Sequence, residues 1–455
     1  MTRKKLMYAL TAVLVALSLA APLDAAAANR STKITSVTSK PGARPGQVQI
    51  NWRSSGSNPT SFVVETALTT FSPSRGPVHG RHWKTFKVSG KKRSLTLTAA
   101  QVAAAGAPLG SGRHLYFRLK AVTGKSARWY PYQQSVSVNV GRPISAASGT
   151  ALRVANFNVK SSKTSGRSWL SRAPKVAATI KAKNPAIVTI QELSPGRADG
   201  KGGSTNGSVR QTNSLQNSLK KAGAGKYRLV RSTPYIMPGK KHGTQGTRIL
   251  YDTSRYSVVS RCSEKTGKRS YSSSCSLELP ILSGESASNR RSAAYAILQN
   301  KSTKKRVLVV SAHLDARHSS KVATEKRYDR LRTAQVQTIV AKIARVNTHR
   351  VPVVFGGDIN SWQNNRVANG PHDRLVAGKF YDTAAAQSTA NLRYSTYNDM
   401  TKTMKPSPSG YGSRLDVIAV RGLIAAKRFE NVMKVRDSAR PSDHNMVYAD
   451  IVLKA

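Results

Sequence analysis

Residues 33–140 carry short runs in which apolar and polar positions alternate: "KITSVTS", "QVQINWR", "SFVVETAL", "HWKTFKV", "SLTLTA", "HLYFRLKAV" and "QSVSVNV", each closed by turn residues. A period of two marks strands that bury one face, and their number and spacing predict a small all-β sandwich. In "HLYFRLKAV", Leu115, Phe117, Leu119 and Ala121 form the apolar face, while Tyr116, Arg118 and Lys120 form the other. The stretch "GRPISAASGT", residues 141–150, is rich in Gly, Ser and Ala and predicts a linker. From residue 151 to 455 the period changes. Continuous apolar runs such as "LRVANFNV", "PAIVTIQEL", "RVLVVSAHL", "VPVVFGGDI" and "NMVYADIVL" alternate with helical stretches such as "SRAPKVAATIKAK" and "RYDRLRTAQVQTIVAKIARV". This mixture predicts one α/β (α+β) domain of two layered mixed sheets flanked by helices.

The chain starts with the basic "MTRKK", followed by the apolar "LMYALTAVLVALSLAAPL" and the small-residue "DAAAAN". That order predicts a signal peptide over residues 1–28, cleaved near Ala28. The apolar run is short for a membrane span, and no later segment is long and apolar enough for one. A secreted, extracellular product without a transmembrane segment is expected. With 74 Lys and Arg against 20 Asp and Glu, the formal net charge is +54. Such a field attracts polyanions: nucleic acid, anionic lipid or acidic cell-surface polymer. Charge alone does not choose among them, since the basic residues are spread over runs such as "SGKKRS", "PGKKHG" and "NKSTKKRV". The cysteines, Cys262 and Cys275, flank the polar "SEKTGKRSYSSS". In an exported chain they most simply form a disulfide closing one loop, and their spacing has no metal-site character.

Polar residues sit where the apolar strands end. Asn158 closes "VANFNV", Gln191 and Glu192 close "PAIVTIQEL", and His313 closes "VLVVSAHL". Asp358 and Asn360 close "VPVVFGGDIN", Asp416 lies inside "SRLDVIAV", and Asp443 with His444 precedes "NMVYADIVL". In a strand, positions i and i+2 share a side, so Asp358 and Asn360 are expected to project into one cleft. Acids are scarce: before Glu192 the chain has Asp24 and Glu65 alone. Carboxylates that cap hydrophobic strands in so basic a chain point to a site at one edge of a sandwich.

The ordered set "NFNV", "IQEL", "SAHLD", "GGDIN", "SRLDVI" and "PSDHNM" resembles the endonuclease/exonuclease/phosphatase superfamily of metal phosphoesterases over residues 151–455. That resemblance implies a four-layered sandwich of two mixed β-sheets, with the site at one edge and Mg²⁺-dependent cleavage of phosphoesters, Mn²⁺ and Ca²⁺ being the alternative ions. It implies Glu192 as the main metal ligand, with Asn158 close by and Asp443 in the metal shell. Asp358 would take the proton of the attacking water, and Asn360 and Asn158 would hold the phosphate. His444 would face the phosphate with Asp416 orienting its ring, and His313 would assist the leaving group. In the deoxyribonuclease branch a glutamate on a preceding strand pairs with the histidine matched by His313. Here "HGTQGTRILYD" offers no acid before Asp252, so that partner is missing. The first segment, with Trp52 on an early strand and Tyr116 five residues before Ala121, resembles a fibronectin type III module.

These features together lead to a secreted metal-dependent phosphodiesterase, a nuclease acting on extracellular DNA or RNA and working as a monomer. The alternatives are a sphingomyelinase-like lipid phosphodiesterase and a non-catalytic adhesin that binds polyanions. A lipid enzyme wants exposed apolar loops, and "SWQNN" with Trp362 offers one aromatic.

Overall fold

A computed structural model of the chain describes residues 32–68, 71–72, 76–77, 83–109, 114–130, 134–137, 149–164, 166–201, 209–231, 246–262, 275–286, 289–363, 365, 367–400, 403–407, 412–434 and 437–454. The signal peptide expected over 1–28 and most of the linker expected over 141–150 lie outside the described residues.

The first unit contains β1 (Lys33–Pro41), β2 (Val48–Ser55), β3 (Ser61–Ala67), β4 (Phe71–Ser72), β5 (Gly76–Pro77), β6 (Lys84–Ser89), β7 (Ser94–Leu97), α1 (Ala99–Ala104), β8 (His114–Thr123), β9 (Ser126–Trp129) and β10 (Gln134–Ser137). β1, β2 and β7 form one sheet; β10, β8, β3 and β6 form the other, with β9 added beside β8. Trp52 and Phe62, their ring centroids 5.1 Å apart, lie in the core between them. The alternation along β8 holds for Leu115, Phe117, Leu119 and Ala121, which are all buried. Tyr116 departs from it. It is buried too, packed against Ala67, and Asn369, Asp373 and Arg414 of the second unit act on its hydroxyl. Glu65 pairs with Arg118 and stays in this unit.

The second unit runs β11 (Gly149–Asn158), α2 (Trp169–Lys183), β12 (Ile187–Gln191), α3 (Gln211–Lys221), β13 (Tyr227–Leu229), β14 (Arg248–Asp252), β15 (Tyr256–Val258), β16 (Ser276–Glu278), β17 (Ser292–Asn300) and β18 (Arg306–His313). It continues with α4 (Val322–Val346), β19 (Val353–Asp358), α5 (Gly370–Ala377), β20 (Tyr381–Asp382), β21 (Ser388–Ala390), β22 (Asp416–Arg421), β23 (Leu423–Val432) and β24 (Met446–Lys454). β11 starts two residues before the boundary expected at 151, since Gly149 and Thr150 pair with Lys454 and Leu453.

Among the described residues, one sheet has the order β13-β14-β12-β11-β24-β23-β21 and the other β15-β17-β18-β19-β22-β20, with β16 beside β17. Both are mixed, with β11 parallel to β12 and β18 parallel to β19. The layers follow from where the apolar side chains go. Ile187, Ile249, Val309, Val354, Ile418 and Val447 pack sheet on sheet. Val176 and Ile180 of α2 and Leu215 of α3 cover the outer face of the first sheet. Val336, Ile339 and Ile343 of α4 and Leu375 of α5 cover that of the second. The result is a four-layered sandwich. Gly356 on β19 faces Thr189 of β12, and a methyl group there would run into the threonine side chain, so glycine lets the sheets approach. Cys262 and Cys275 form a disulfide. Among the described residues no helix is long and apolar enough to cross a membrane.

Candidate functional site

Sheet register assembles the site. His313 at the end of β18 lies opposite Asp358 on β19, and Asp358 lies opposite Asp416 on β22. In the other sheet, Asn158 ends β11 opposite Gln191 on β12. Asn158 joins the two sheets: its Nδ2 donates to Asp358 Oδ2 and to Glu192 Oε1, each at 3.1 Å. Behind it, Asn156 Nδ2 donates to Asp416 Oδ1 at 3.3 Å, and Gln191 Nε2 donates to Asn156 Oδ1 at 2.8 Å and Ser311 Oγ at 3.2 Å. Gln191 therefore faces the buried seam, while its neighbour Glu192 faces the cleft.

A backbone reversal makes that difference. Glu192 has φ +60, a left-handed conformation that costs a non-glycine residue about 1 kcal/mol or more. Gly246 permits it, since a Cβ there would stand 2.8 Å from Glu192 Cα, and Leu193 N donates to Gly246 O at 2.9 Å. The opposite wall turns similarly. β19 stops at Asp358, and Asn360 has φ +46. The expectation that Asp358 and Asn360 share a strand face is thus corrected. A turn brings them together, with Asn360 N donating to Asp358 Oδ1 at 3.0 Å and Asn360 Nδ2 donating to Leu314 O at 3.2 Å. Asx turns of this kind form where an extended run has ended.

His444 enters from the segment before β24. Its Nδ1 is 2.8 Å from Asp416 Oδ2 and its Nε2 is 3.7 Å from Asp358 Oδ2, while Tyr397 packs edge-on against the ring at 5.0 Å. Asp443 accepts from Lys160 Nζ at 2.9 Å. Glu192, His313, Asp358, Asn360, Asp443 and His444 line one cleft of about 590 Å³, rimmed by Trp362, His318 and Tyr397. Asn158 and Asp416 stand behind that wall, bonded to residues that line it.

Burial pushes the Asp358 carboxyl up, with the Asp416 charge adding to the effect and His444 opposing it, to about 7. For His444, burial alone would lower the pKa, but the Asp416 and Asp358 carboxylates outweigh it and raise it well above the ordinary range. His313 moves the other way: burial, then Arg291 and His444, hold it well below 6.5. The two rings differ because one faces a carboxylate at Nδ1 and the other faces a guanidinium.

Glu192 is the oxygen donor best suited to a hard cation. Its Oε1 and Oε2 accept from neutral groups, Asn158 Nδ2 and Ser161 N at 2.9 Å, and each keeps a lone pair. Asp358, Asp416 and His444 also bring ligand-type atoms within 4.8 Å of one another. Asp416 already accepts from Asn156 and meets His444 Nδ1, an arrangement that suits this trio to holding and moving protons. Three participants were not singled out from sequence: Lys160, Arg291 and Tyr397. Lys160 directly follows "NFNV"; Arg291 and Tyr397 carry no local signal that separates them from the many other basic and aromatic positions.

No protein-family model matches the chain, and no curated protein matches it. Among solved structures the chain is similar to an endonuclease/exonuclease/phosphatase from Bacteroides vulgatus, at 21% identity over 67% of this chain and 100% of that one, with a TM-score of 0.49. It is similar to a mannosyl-6-phosphatase of Bacteroides thetaiotaomicron at 18% identity, over 66% and 99% of the two chains, with a TM-score of 0.47. It is also similar to D. rerio TDP2 complexed with single strand DNA product, at 15% identity, over 66% and 99%, with a TM-score of 0.41.

Proposed function

We propose that the chain is a secreted, divalent-metal-dependent phosphodiesterase, a nuclease that hydrolyses extracellular DNA or RNA. The observation that carries this reading is the meeting of Glu192, Asn158, Asp358, Asp416 and His444, from strand ends of both sheets, around one cleft. Phosphodiester hydrolysis needs an activated water and compensation for charge that builds on the phosphate oxygens. Glu192, with Asn158 beside it and Asp443 in the outer shell, would hold Mg²⁺ or a similar ion. When bound, the ion supplies positive charge to a phosphate oxygen.

The chain's own residues supply the rest. Asp358, with a pKa near neutrality, is suited to take the water's proton. His444, held as a cation by Asp416, presents Nε2 to the cleft and stabilises the developing charge. Asn360 has a second amide hydrogen for a phosphate oxygen, and Asn158 keeps the two carboxylates apart. The net charge of +54 favours a polymeric anion over a small phosphoester, since neutralising many phosphates gives affinity without base reading. The first unit, by its strand order and Trp52, is read as a fibronectin type III-like module.

The test is a digestion panel: supercoiled plasmid, single-stranded RNA, sphingomyelin vesicles and a small phosphomonoester, each with Mg²⁺ and with chelator. Chelator-sensitive cleavage of plasmid or RNA, absent from His444→Ala, is the expected result. Turnover of lipid alone would replace the nuclease with a lipid phosphodiesterase. No turnover of any substrate would leave a polyanion-binding adhesin.

A further inference from the structure

We infer that Arg291 is a positioning residue that fixes the proton of His313 on Nε2, so that His313 serves as a neutral hydrogen-bond donor and not as the proton source for the leaving group. The consequence for turnover rests on the phosphodiesterase reading; the state of the ring does not.

Arg291 stands immediately before β17, and its Nη1 lies 3.3 Å from His313 Nδ1. A guanidinium has five N–H donors, no acceptor and no accessible deprotonated form. The nitrogen it meets must therefore supply a lone pair, and a proton on Nδ1 would set two donors and two cations face to face. In the neutral ring the proton then sits on Nε2, 3.5 Å from Asp358 Oδ2 at the cleft.

The charged groups around the ring agree. Arg291 faces it from the segment before β17, Asp358 from β19 and the cationic His444 from the segment before β24. Burial lowers the Arg291 pKa from its ordinary value, and the Asp315, Glu192 and Asp358 carboxylates oppose that shift and favour the charged guanidinium. Among the described residues no carboxylate forms an ion pair at Nδ1. The acid nearest in sequence on β14, Asp252, is bound to Lys226 and Arg255. An imidazole fixed this way keeps its Nε2–H across the range in which free histidine titrates. It can donate to an oxygen beside Asp358 without charging.

The experiment is ¹⁵N–¹H NMR of the histidine ring nitrogens in the full chain, recorded from pH 5 to 8 across the ordinary histidine range. The His313 signals are assigned by their loss in His313→Gln. The expected result is an unprotonated Nδ1 and a protonated Nε2 that persist through the series. In Arg291→Met the ring should titrate or redistribute its proton, and turnover should fall about tenfold or more with a new acid limb. Arg291→Lys, which keeps a donor, should recover part of both. A wild-type ring that carries the proton on Nδ1, or that titrates near its ordinary value, overturns the inference, as does an Arg291→Met ring identical to wild type. If Arg291→Met does not fold, the wild-type spectra decide. The stated ring state in a chain that hydrolyses nothing would sink the phosphodiesterase reading and leave the positioning role of Arg291 standing.

Discussion

Asp416 is buried and bonded on both oxygens, to His444 Nδ1 at 2.8 Å and Asn156 Nδ2 at 3.3 Å, while its own N–H donates to Thr396 Oγ1 at 3.2 Å. It cannot turn toward a substrate, so its effect passes through the His444 ring. Asp416→Asn keeps the shape but replaces a full negative charge with an amide that can present a donor to Nδ1. The ring then loses the charge that keeps it protonated and the bond that aims Nε2. Turnover should drop about 10²-fold to 10⁴-fold, with substrate affinity and the circular dichroism spectrum little changed. Steady-state kinetics on the cleaved substrate, with KM separated from kcat, checks this; a variant within a few-fold of wild type would remove Asp416 from the relay. At this scale the sequence was informative where a carboxylate or histidine ended an apolar run, as at Glu192, His313, Asp358 and Asp416. It was silent on Arg291, because one arginine among 74 basic residues has no distinguishing neighbours.

The strands at the site were legible because both faces of β12, β18 and β19 are buried, which leaves uninterrupted apolar runs in the chain. What register would do with them was not legible. The alignment of His313, Asp358 and Asp416 across three strands is set by long-range pairing, and so is the gap between the sheets that Gly356 allows. Pairing stops at Asp358 and a turn begins at Asn360, a division that the residue types of the run, which suit strand and turn alike, do not fix. The same non-local packing builds a second buried ionic group behind β22. There, His372 of α5 lies 2.9 Å from Asp382 Oδ2, and Arg414 Nη2 reaches the same oxygen at 2.8 Å. Burial would lower the His372 pKa, but Asp373 and Asp382 prevail and push it up to about 9. A free histidine titrates near 6.5, so the proton on His372 stabilises the fold fully below about pH 6.5. That contribution declines as pH rises and is gone above about 9. Thermal unfolding of the wild type should therefore lose stability between pH 6 and 10 relative to His372→Gln, which lacks the group. Parallel curves for the two proteins would mean that His372 is neutral in the fold.

For the whole molecule, charge and chemistry act over different distances. The cleft holds its acids in fixed bonds a few ångströms long, whereas 74 basic residues against 20 acidic ones set up a field that reaches about a Debye length, roughly 8 Å at physiological salt. Several of the described acids are already committed to ion pairs, as at Arg153–Asp450, Lys183–Glu430 and Arg317–Glu285, so the excess cations have no internal counter-charge. Added salt should weaken docking of a polyanion through counterion release and leave the buried Asp416–His444 pair largely unscreened. With His444→Ala as a binding-competent but silent protein, affinity for duplex DNA should fall with a log–log salt slope of about −5 or steeper. In the active wild type, KM should climb with salt in parallel while kcat at saturating DNA changes by no more than a few-fold. The two readings are made by fluorescence anisotropy and by initial rates over one potassium chloride series. A shallow binding slope would show that few phosphates are gripped, and the basic surface would then have no part in delivering substrate to the cleft. A kcat that collapses along with affinity would show instead that salt reaches the pair, contrary to its burial.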